Sequence, residues 1–362
     1  MLTFGAQWTN DRLTNSDLAG GRSGSYGTRK ITERAWFVED EWELMSRKLF
    51  LTLGARLTDN EFFGTQVSPR AYLVFKRDSG WTFKGGVATG YKSPKLTQID
   101  GSTASQRGGG ANQFLVVGNP ELKPEKSTNF EIGSHYAGSG PLSGGITLFY
   151  NDFDNKIINT SPWYFDNGAG GRIPAYCDSG AVGSRTCPAW ATWLNMRGAT
   201  IRGLELDGKW LIGKALDLKG NYTYTDSRID AGNVTINTPA GPRTFGDTLA
   251  SLDGNSLVGI PKHNGSVALN YRPAEALSGY LRLNYEGQIT AVSFEGNTVN
   301  KSNKDLVTLD TGLSYALNRF LTFNVVVENI TDQKRFKVTN DTGAYRYSER
   351  GRSFYASVRA RF

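Results

Sequence analysis

The chain has 362 residues, a formal net charge of +7, a mean hydropathy of −0.41 and aromatic residues at 12%, and no stretch approaches the roughly 20 apolar residues of a membrane helix, so any bilayer crossing must use strands. The basic residues sit singly on polar strand faces, as at Arg56, Lys84, Arg282 and Arg359, rather than in the contiguous stripe of a nucleic-acid footprint. Two histidines, His135 and His263, and two cysteines supply neither a multi-ligand metal site nor a histidine-based triad, so no enzyme, no metal centre and no nucleic-acid partner is expected.

In chain order, Met1-Leu2-Thr3-Phe4-Gly5 already reads as a strand and lacks the basic start and apolar core of a secretory signal. The chain is therefore expected to be the C-terminal part of a longer precursor. Residues 31–44 turn through Met45-Ser46-Arg47-Lys48 into 49–60, where Leu49, Leu51, Leu53, Ala55 and Leu57 share a face. Residues 70–76 pass through Arg77-Asp78-Ser79-Gly80, hairpin chemistry, into 81–91. Residues 128–136 and 145–158 join at 138–141, and 199–212 and 216–228 join at Gly213-Lys214. In the first strand of that second pair, Leu204, Leu206, Trp210 and Ile212 face one way and Glu205, Asp207 and Lys209 the other, with Arg202, Lys219 and Arg228 read as part of the same polar wall. Residues 263–271, 279–289, 306–316, 320–329 and a last strand built from 344–349 and 352–362 complete the series. At its end Phe354, Ala356, Val358, Ala360 and Phe362 fall on one face and Tyr355, Ser357, Arg359 and Arg361 on the other.

These strands run about ten residues, the length a tilted membrane strand requires, whereas soluble sandwiches use about five or six. Short turns alternate with long polar segments near 15–30, 93–125, 159–196 and 229–261, and shorter ones lie near Gly296 and Val338. Apolar-out, polar-in alternation with that phase predicts an all-β fold, a transmembrane antiparallel β-barrel of the bacterial outer membrane with the long segments extracellular. Aromatics near strand ends, such as Trp36, Trp42, Trp81, Tyr150, Trp210 and Tyr271, fit interfacial girdles. Outside the cell, Cys177 and Cys187 read as a disulfide. Asp152 and Asp154 lack the twelfth-position glutamate of a calcium loop and read as a solvated strand end, and the glycines beside Arg107 lack the lysine and helix of a phosphate loop.

At Gly90-Tyr91-Lys92-Ser93-Pro94-Lys95-Leu96 and Gly118-Asn119-Pro120-Glu121-Leu122-Lys123-Pro124-Glu125-Lys126-Ser127-Thr128-Asn129-Phe130-Glu131-Ile132-Gly133 the sequence resembles TonB-dependent outer-membrane receptors. Gly198-Ala199-Thr200-Ile201-Arg202-Gly203-Leu204-Glu205, Glu328-Asn329-Ile330-Thr331-Asp332-Gln333 and the terminal strand are similar to further family segments. Both first runs resemble scaffold parts of the family. Within it the chain is most similar to catecholate-siderophore and colicin receptors of the enterobactin and colicin I type.

The resemblance implies uptake of a ferric siderophore, of catecholate type, driven through TonB acting on a plug. The family barrel has about 22 strands around that plug, and about 14 are read here, so the plug, the box that contacts TonB and the first strands are expected to lie outside these 362 residues. The whole of 1–362 is then one barrel portion. No covalent cofactor is implied; the transported ligand is the ferric siderophore, and the partners are outer-membrane lipid, siderophore, TonB, and colicin or phage. A flat-armed trianion suits cations beside aromatics, which makes Trp163, Tyr164, Arg172, Tyr176 and Arg185, with Arg107 and Arg243, the candidate ligand-binding residues. That these side chains instead pack their own loops stays open, as do a passive channel and a colicin or phage docking protein.

Overall fold

In the computed structural model the described residues are 1–14, 28–101, 104–107, 114–159, 189–238, 241–244, 252–292, 299–301, 304–338, 346–348 and 350–361. Fourteen strands form one sheet: β1 (Leu2–Thr14), β2 (Thr28–Met45), β3 (Leu49–Asn60), β4 (Gly64–Lys76), β5 (Trp81–Lys92), β6 (Glu125–Ala137) and β7 (Leu142–Asp154). It continues through β8 (Gly198–Leu211), β9 (Leu216–Asp230), β10 (His263–Ala274), β11 (Leu277–Glu286), β12 (Leu306–Ala316), β13 (Leu321–Glu328) and β14 (Ser353–Ala360). Every strand pairs antiparallel with its chain neighbour, and the pairing order runs from β1 to β14 without a crossover.

Pairing in strict register carries the two-residue period from strand to strand, so one face of the sheet collects the apolar residues. Across the ladder Leu53 meets Ala71, Ala71 meets Val87, Val87 meets Phe130, and Phe130 meets Tyr150. On the later strands Val267 meets Leu283, Leu283 meets Leu309, and Val325 meets Ala356. Ile132 is 64% exposed, Phe354 72% and Val358 61%, so no second layer of described residues covers this face. Asp40, in register with Leu53, is a carboxylate on this otherwise apolar face.

The opposite face is a polar wall. Arg70 pairs with Glu39 at 2.9 Å and stacks over Tyr72, Lys84 reaches Glu131 at 3.5 Å, and Asn284 donates to Asp310 at 2.7 Å. Glycines on this face lie under cross-strand rings: a Cβ on Gly203 would stand 2.7 Å from Phe149 Cζ, and one on Gly5 2.5 Å from Phe37 Cζ. The ring covers backbone that glycine leaves bare, which offsets part of the entropy glycine loses in a strand. Glu205, Asp207 and Lys209 belong to this wall, but Arg202 and Arg228 do not. They sit on the other face, where Arg202 meets Asp226 in register and donates to it at 2.9 Å.

Two further expectations change. The last strand begins at Ser353, and Arg346–Ser348 pairs instead with Phe336–Val338 as a separate ribbon. At the end of the sheet that bears the long connections, β3 and β4 are joined by the tight turn 61–63. Asn60 Oδ1 accepts the Phe62 and Phe63 amides at 3.0 and 3.3 Å, and Gly64 takes φ +67°, so an Asx turn closes a hairpin there.

The two faces predict opposite responses to charge. Leu281→Lys on the apolar face should cost about 2–4 kcal/mol, while Ser314→Lys on the polar wall should cost less than about 0.5 kcal/mol. Denaturant unfolding of the vesicle-inserted protein measures both, and equal losses would mean that the faces do not meet different solvents.

Candidate functional site

The connections β5–β6 and β7–β8 rise from one end of the sheet and fold together. The first contains the single-turn helix α1 (Leu96–Ile99) and the strands Ala104–Arg107 and Phe114–Val117; the second contains Ile157–Asn159 and Ala189–Asn195. These four short strands make a second sheet in which residues 189–192 run parallel to 114–117 and the other pairings are antiparallel. Because the central pair joins different connections, neither loop base can shift alone.

Polar side chains complete the join where short strands leave backbone groups unpaired. Asn119, 5% exposed, donates from Nδ2 to the Trp193 carbonyl at 2.8 Å and accepts the Glu121 amide on Oδ1 at 2.9 Å. Asn195 accepts the Lys123 amide at 2.8 Å and donates to the carbonyls of Lys123 and Asn155 at 2.8 and 2.7 Å. Thr192 donates to the Val117 carbonyl at 2.8 Å. Glu125 is the central ionic group: Lys92 Nζ lies 2.5 Å from one carboxylate oxygen, and Lys156 Nζ and the Ile157 amide lie 3.0 and 2.9 Å from the other. A buried carboxylate is tolerated here because two cations and a backbone donor replace its water.

Beneath the join lies a small apolar core of Ile31, Leu96, Ile99 and Leu122, against which Leu13, Phe63, Ile157 and Trp193 pack. Beside it is a recess of about 290 Å³ walled by Phe62, Phe63 and Pro120, with Arg29 paired to Asp100 at 3.4 Å. Its volume is at the lower limit of small-molecule pockets, so a ligand the size of a metal-chelate complex needs the space between loops rather than this recess.

A second join ties the β11–β12 and β13–β14 connections. Asn329, at φ 51°, accepts the Gln333 amide and donates to the carbonyls of Gln333 and Arg350 at 2.9 and 3.0 Å. The buried Arg335 donates to the Gly287 carbonyl at 3.1 Å and to Glu286 at 2.6 Å. The Arg352 amide, 2.9 Å from Asp332 Oδ1, holds that carboxyl below its usual range, and nearby Lys334 adds to the effect. A depressed carboxyl pKa contributes stability that is present above the ordinary aspartate range and lost as pH falls through the folded value, so acid loosens this join.

Among the expected ligand residues, Arg107 ends the strand Ala104–Arg107 opposite Phe114, and Arg243 lies opposite Ile236 in the ribbon formed by Thr235–Thr238 and Gly241–Thr244. The side chains of Arg107 and Arg243, and the whole of Trp163, Tyr164, Arg172, Tyr176, Cys177, Arg185 and Cys187, lie outside the described residues. Trp193, one of the aromatics of the same segment, packs against the small core. Glu125 and Asn119 were legible only as part of a scaffold run and Asn195 only as part of a long polar segment; their bonding depends on partners up to 74 positions away. Asp152 and Asp154 end β7 on the sheet face that carries Tyr150.

A family profile described as TonB dependent receptor-like, beta-barrel, matches residues 1–330. The chain is 30% identical over 364 residues to the iron-regulated outer membrane virulence protein of Vibrio cholerae serotype O1, covering 99% of this chain and 48% of that protein. It is 27% identical over 392 residues to the ferric enterobactin receptor of Pseudomonas aeruginosa, covering 100% of this chain and 48% of that one. The chain thus spans about half the length of the curated relatives it matches. Among solved structures, the ferric enterobactin receptor of P. aeruginosa superimposes with a TM-score of 0.74 at 24% identity, over 100% of this chain and 51% of that one. The siderophore receptor PirA of Acinetobacter baumannii gives a TM-score of 0.71 at 21% identity, over 100% and 52%. At these identities the structural likeness speaks for the fold alone.

If Glu125 organises the join, Glu125→Ala should destabilise it by about 1.5–3 kcal/mol, the range for hydrogen bonds to charged groups. Hydrogen exchange should then quicken at 114–117 and 189–195 while the amides of β8 and β9 keep their protection. Unchanged exchange in the short strands would remove Glu125 from this role.

Proposed function

The chain belongs to the TonB-dependent receptor β-barrel family of the bacterial outer membrane, and from that membership we propose that it is the barrel part of a receptor that takes up a ferric siderophore of the catecholate class. The observation that carries the reading is the family match over residues 1–330, joined to relatives named for ferric enterobactin. On this reading the end of the sheet bearing the long connections faces the cell exterior, and the protein is a transporter rather than an enzyme.

The join described above supports the assignment physically. A capture surface built on loops loses affinity to the entropy of ordering them, and fixing the bases of two loops before ligand arrives lowers that cost. The join fixes the bases of the connections that carry Arg107 and the segment 160–188. Within that segment Trp163, Tyr164, Arg172, Tyr176 and Arg185 offer stacking faces and positive charge to a ferric catecholate trianion, with Arg243 contributing from the β9–β10 connection. A Cys177–Cys187 disulfide would restrict the same segment further. Coupling to TonB would run through parts of the receptor outside these 362 residues.

Titration of the full-length receptor with ferric enterobactin tests the ligand assignment. Arg172→Gln and Arg185→Gln should each weaken binding about tenfold or more, the loss expected when a hydrogen bond to a charged group is removed. Wild-type affinity in both variants would dismiss these residues as ligand contacts. Iron uptake that persists after the proton gradient is dissipated would instead favour a passive channel.

A further inference from the structure

The rim of the sheet at the long-connection end is not electrically uniform. On β7–β9 the apolar face ends in charges of both signs, Asp152, Asp154, Arg202, Asp226, Arg228 and Asp230, with Arg202 paired to Asp226 and Asp230 paired to Arg197. The β1–β2 ribbon is different. Read upward on its apolar face, the in-register pairs are Phe4 with Val38, Ala6 with Trp36, Trp8 with Arg34, Asn10 with Thr32, and Arg12 with Lys30. The face passes from aliphatic to aromatic to cationic within a few residues. Arg12, Lys30 and Arg34 are exposed, and among the described residues none of them forms an ion pair. The neighbouring carboxylates on this face are Asp59, in register with Arg34 and hydrogen-bonded by Thr65 at 3.2 Å, and Glu61, which accepts the Thr32 amide at 2.9 Å. Three cations thus stand against two carboxylates, neither of them within ion-pair distance of a cation of this cluster among the described residues.

Their height follows from strand geometry. From Leu44 to Trp36, β2 rises ~27 Å along its own axis at ~3.4 Å per residue, or ~21 Å along the membrane normal at a tilt of ~40°, close to the ~25 Å apolar band of such barrels. Trp36 therefore stands at the interface, where indole rings settle, Trp8 and Arg34 face each other one step above it, and Lys30 and Arg12 lie in the headgroup layer beyond. Long basic side chains at that level keep their stems on apolar surface and their charges among phosphates.

We infer that the outward face of β1 and β2 is a binding surface for anionic phosphate-bearing lipid headgroups in the leaflet at the long-connection end, held by Arg12, Lys30 and Arg34, with Trp8 beside Arg34 and Trp36 below it. The placement of that leaflet rests on the orientation proposed above; the surface itself is continuous with the lipid-facing band. Charge complementarity selects the occupant, because zwitterionic headgroups gain little from an unpaired cationic cluster, whereas one basic residue near an anionic surface contributes about a factor of five in binding.

The test uses the full-length receptor in nanodiscs containing phosphatidylcholine with phosphatidylglycerol, with retained lipids counted by native mass spectrometry after release into detergent. Wild-type protein should retain phosphatidylglycerol over phosphatidylcholine by about fivefold or more. The variant R12Q/K30Q/R34Q should lose that preference, and K84Q/R282Q/R359Q, altered on the polar wall, should keep it. Raising salt should weaken the wild-type preference. A preference that survives in the first variant, vanishes equally in the second, ignores salt, or is matched by equal thermal stabilisation from inorganic phosphate would overturn the inference. Ferric siderophore binding, measured separately on the same samples, reports on the proposed function and not on this surface.

Discussion

A backbone amide inside a bilayer has no water to bond, and the organisation of this chain follows from satisfying that demand along antiparallel strands. Only neighbour-to-neighbour ladders can do it over 14 strands without a layer of helices to cover the sheet. The ladder then transmits side-chain parity from strand to strand, so a single choice of which residues face outward is imposed on the whole wall. Leu53 and Val87, two strands apart, share a face with Phe130 and Tyr150 for this reason and not because they touch as a core. The exposed Ile132, Phe354 and Val358, which would be a liability in water, are ordinary residues for a surface whose solvent is acyl chain.

That dependence on a local period explains what could be read in advance. The paired strands β2 to β9 follow from alternation and from turn chemistry such as Arg77-Asp78-Ser79-Gly80, both of which are properties of neighbouring residues. Where the deciding contact is distant, the sequence is silent. Nothing near Phe114–Val117 or Ala189–Asn195 announces that they run parallel across two different connections. The turn at 61–63 hid in an apolar Phe-Phe pair, although Asn60 and Gly64 on either side carried the Asx and left-handed chemistry that makes it. Arg202 was read inward by its charge, whereas parity places it outward beside Asp226, at a height where the surroundings are no longer hydrocarbon. Residue 346 and its neighbours look like strand and are strand, but they pair with Phe336–Val338 because the connection folds back on itself before β14 begins.

The site shows a division of labour between ionic and apolar contacts. Glu125 is nearly enclosed and its three donors come from two separate segments, Lys92 at the end of β5 and the adjacent Lys156 and Ile157 after β7, so its bonds specify which segments meet. The core of Ile31, Leu96, Ile99 and Leu122 is too small to specify much and supplies burial instead. Removing an apolar member leaves the same partners slightly looser; removing the carboxylate leaves two lysines facing each other. Specificity in such a join therefore resides in charge, and cohesion in the few side chains below it.

A strand that crosses a membrane meets three solvents in sequence, and its outward residues must change with each. On β2 the change is abrupt: Val38 and Trp36 belong to the hydrocarbon and its boundary, and Arg34 and Lys30 to the polar layer. The balanced charges of β7–β9 need no partner from the membrane, because Arg202 and Arg197 already have Asp226 and Asp230. On β1–β2 the cations have no such partners among the described residues, so the free energy of their charge depends on the lipid beside them. Two segments of one rim, built by the same register rules, are in this way set to respond differently to the composition of the leaflet they share.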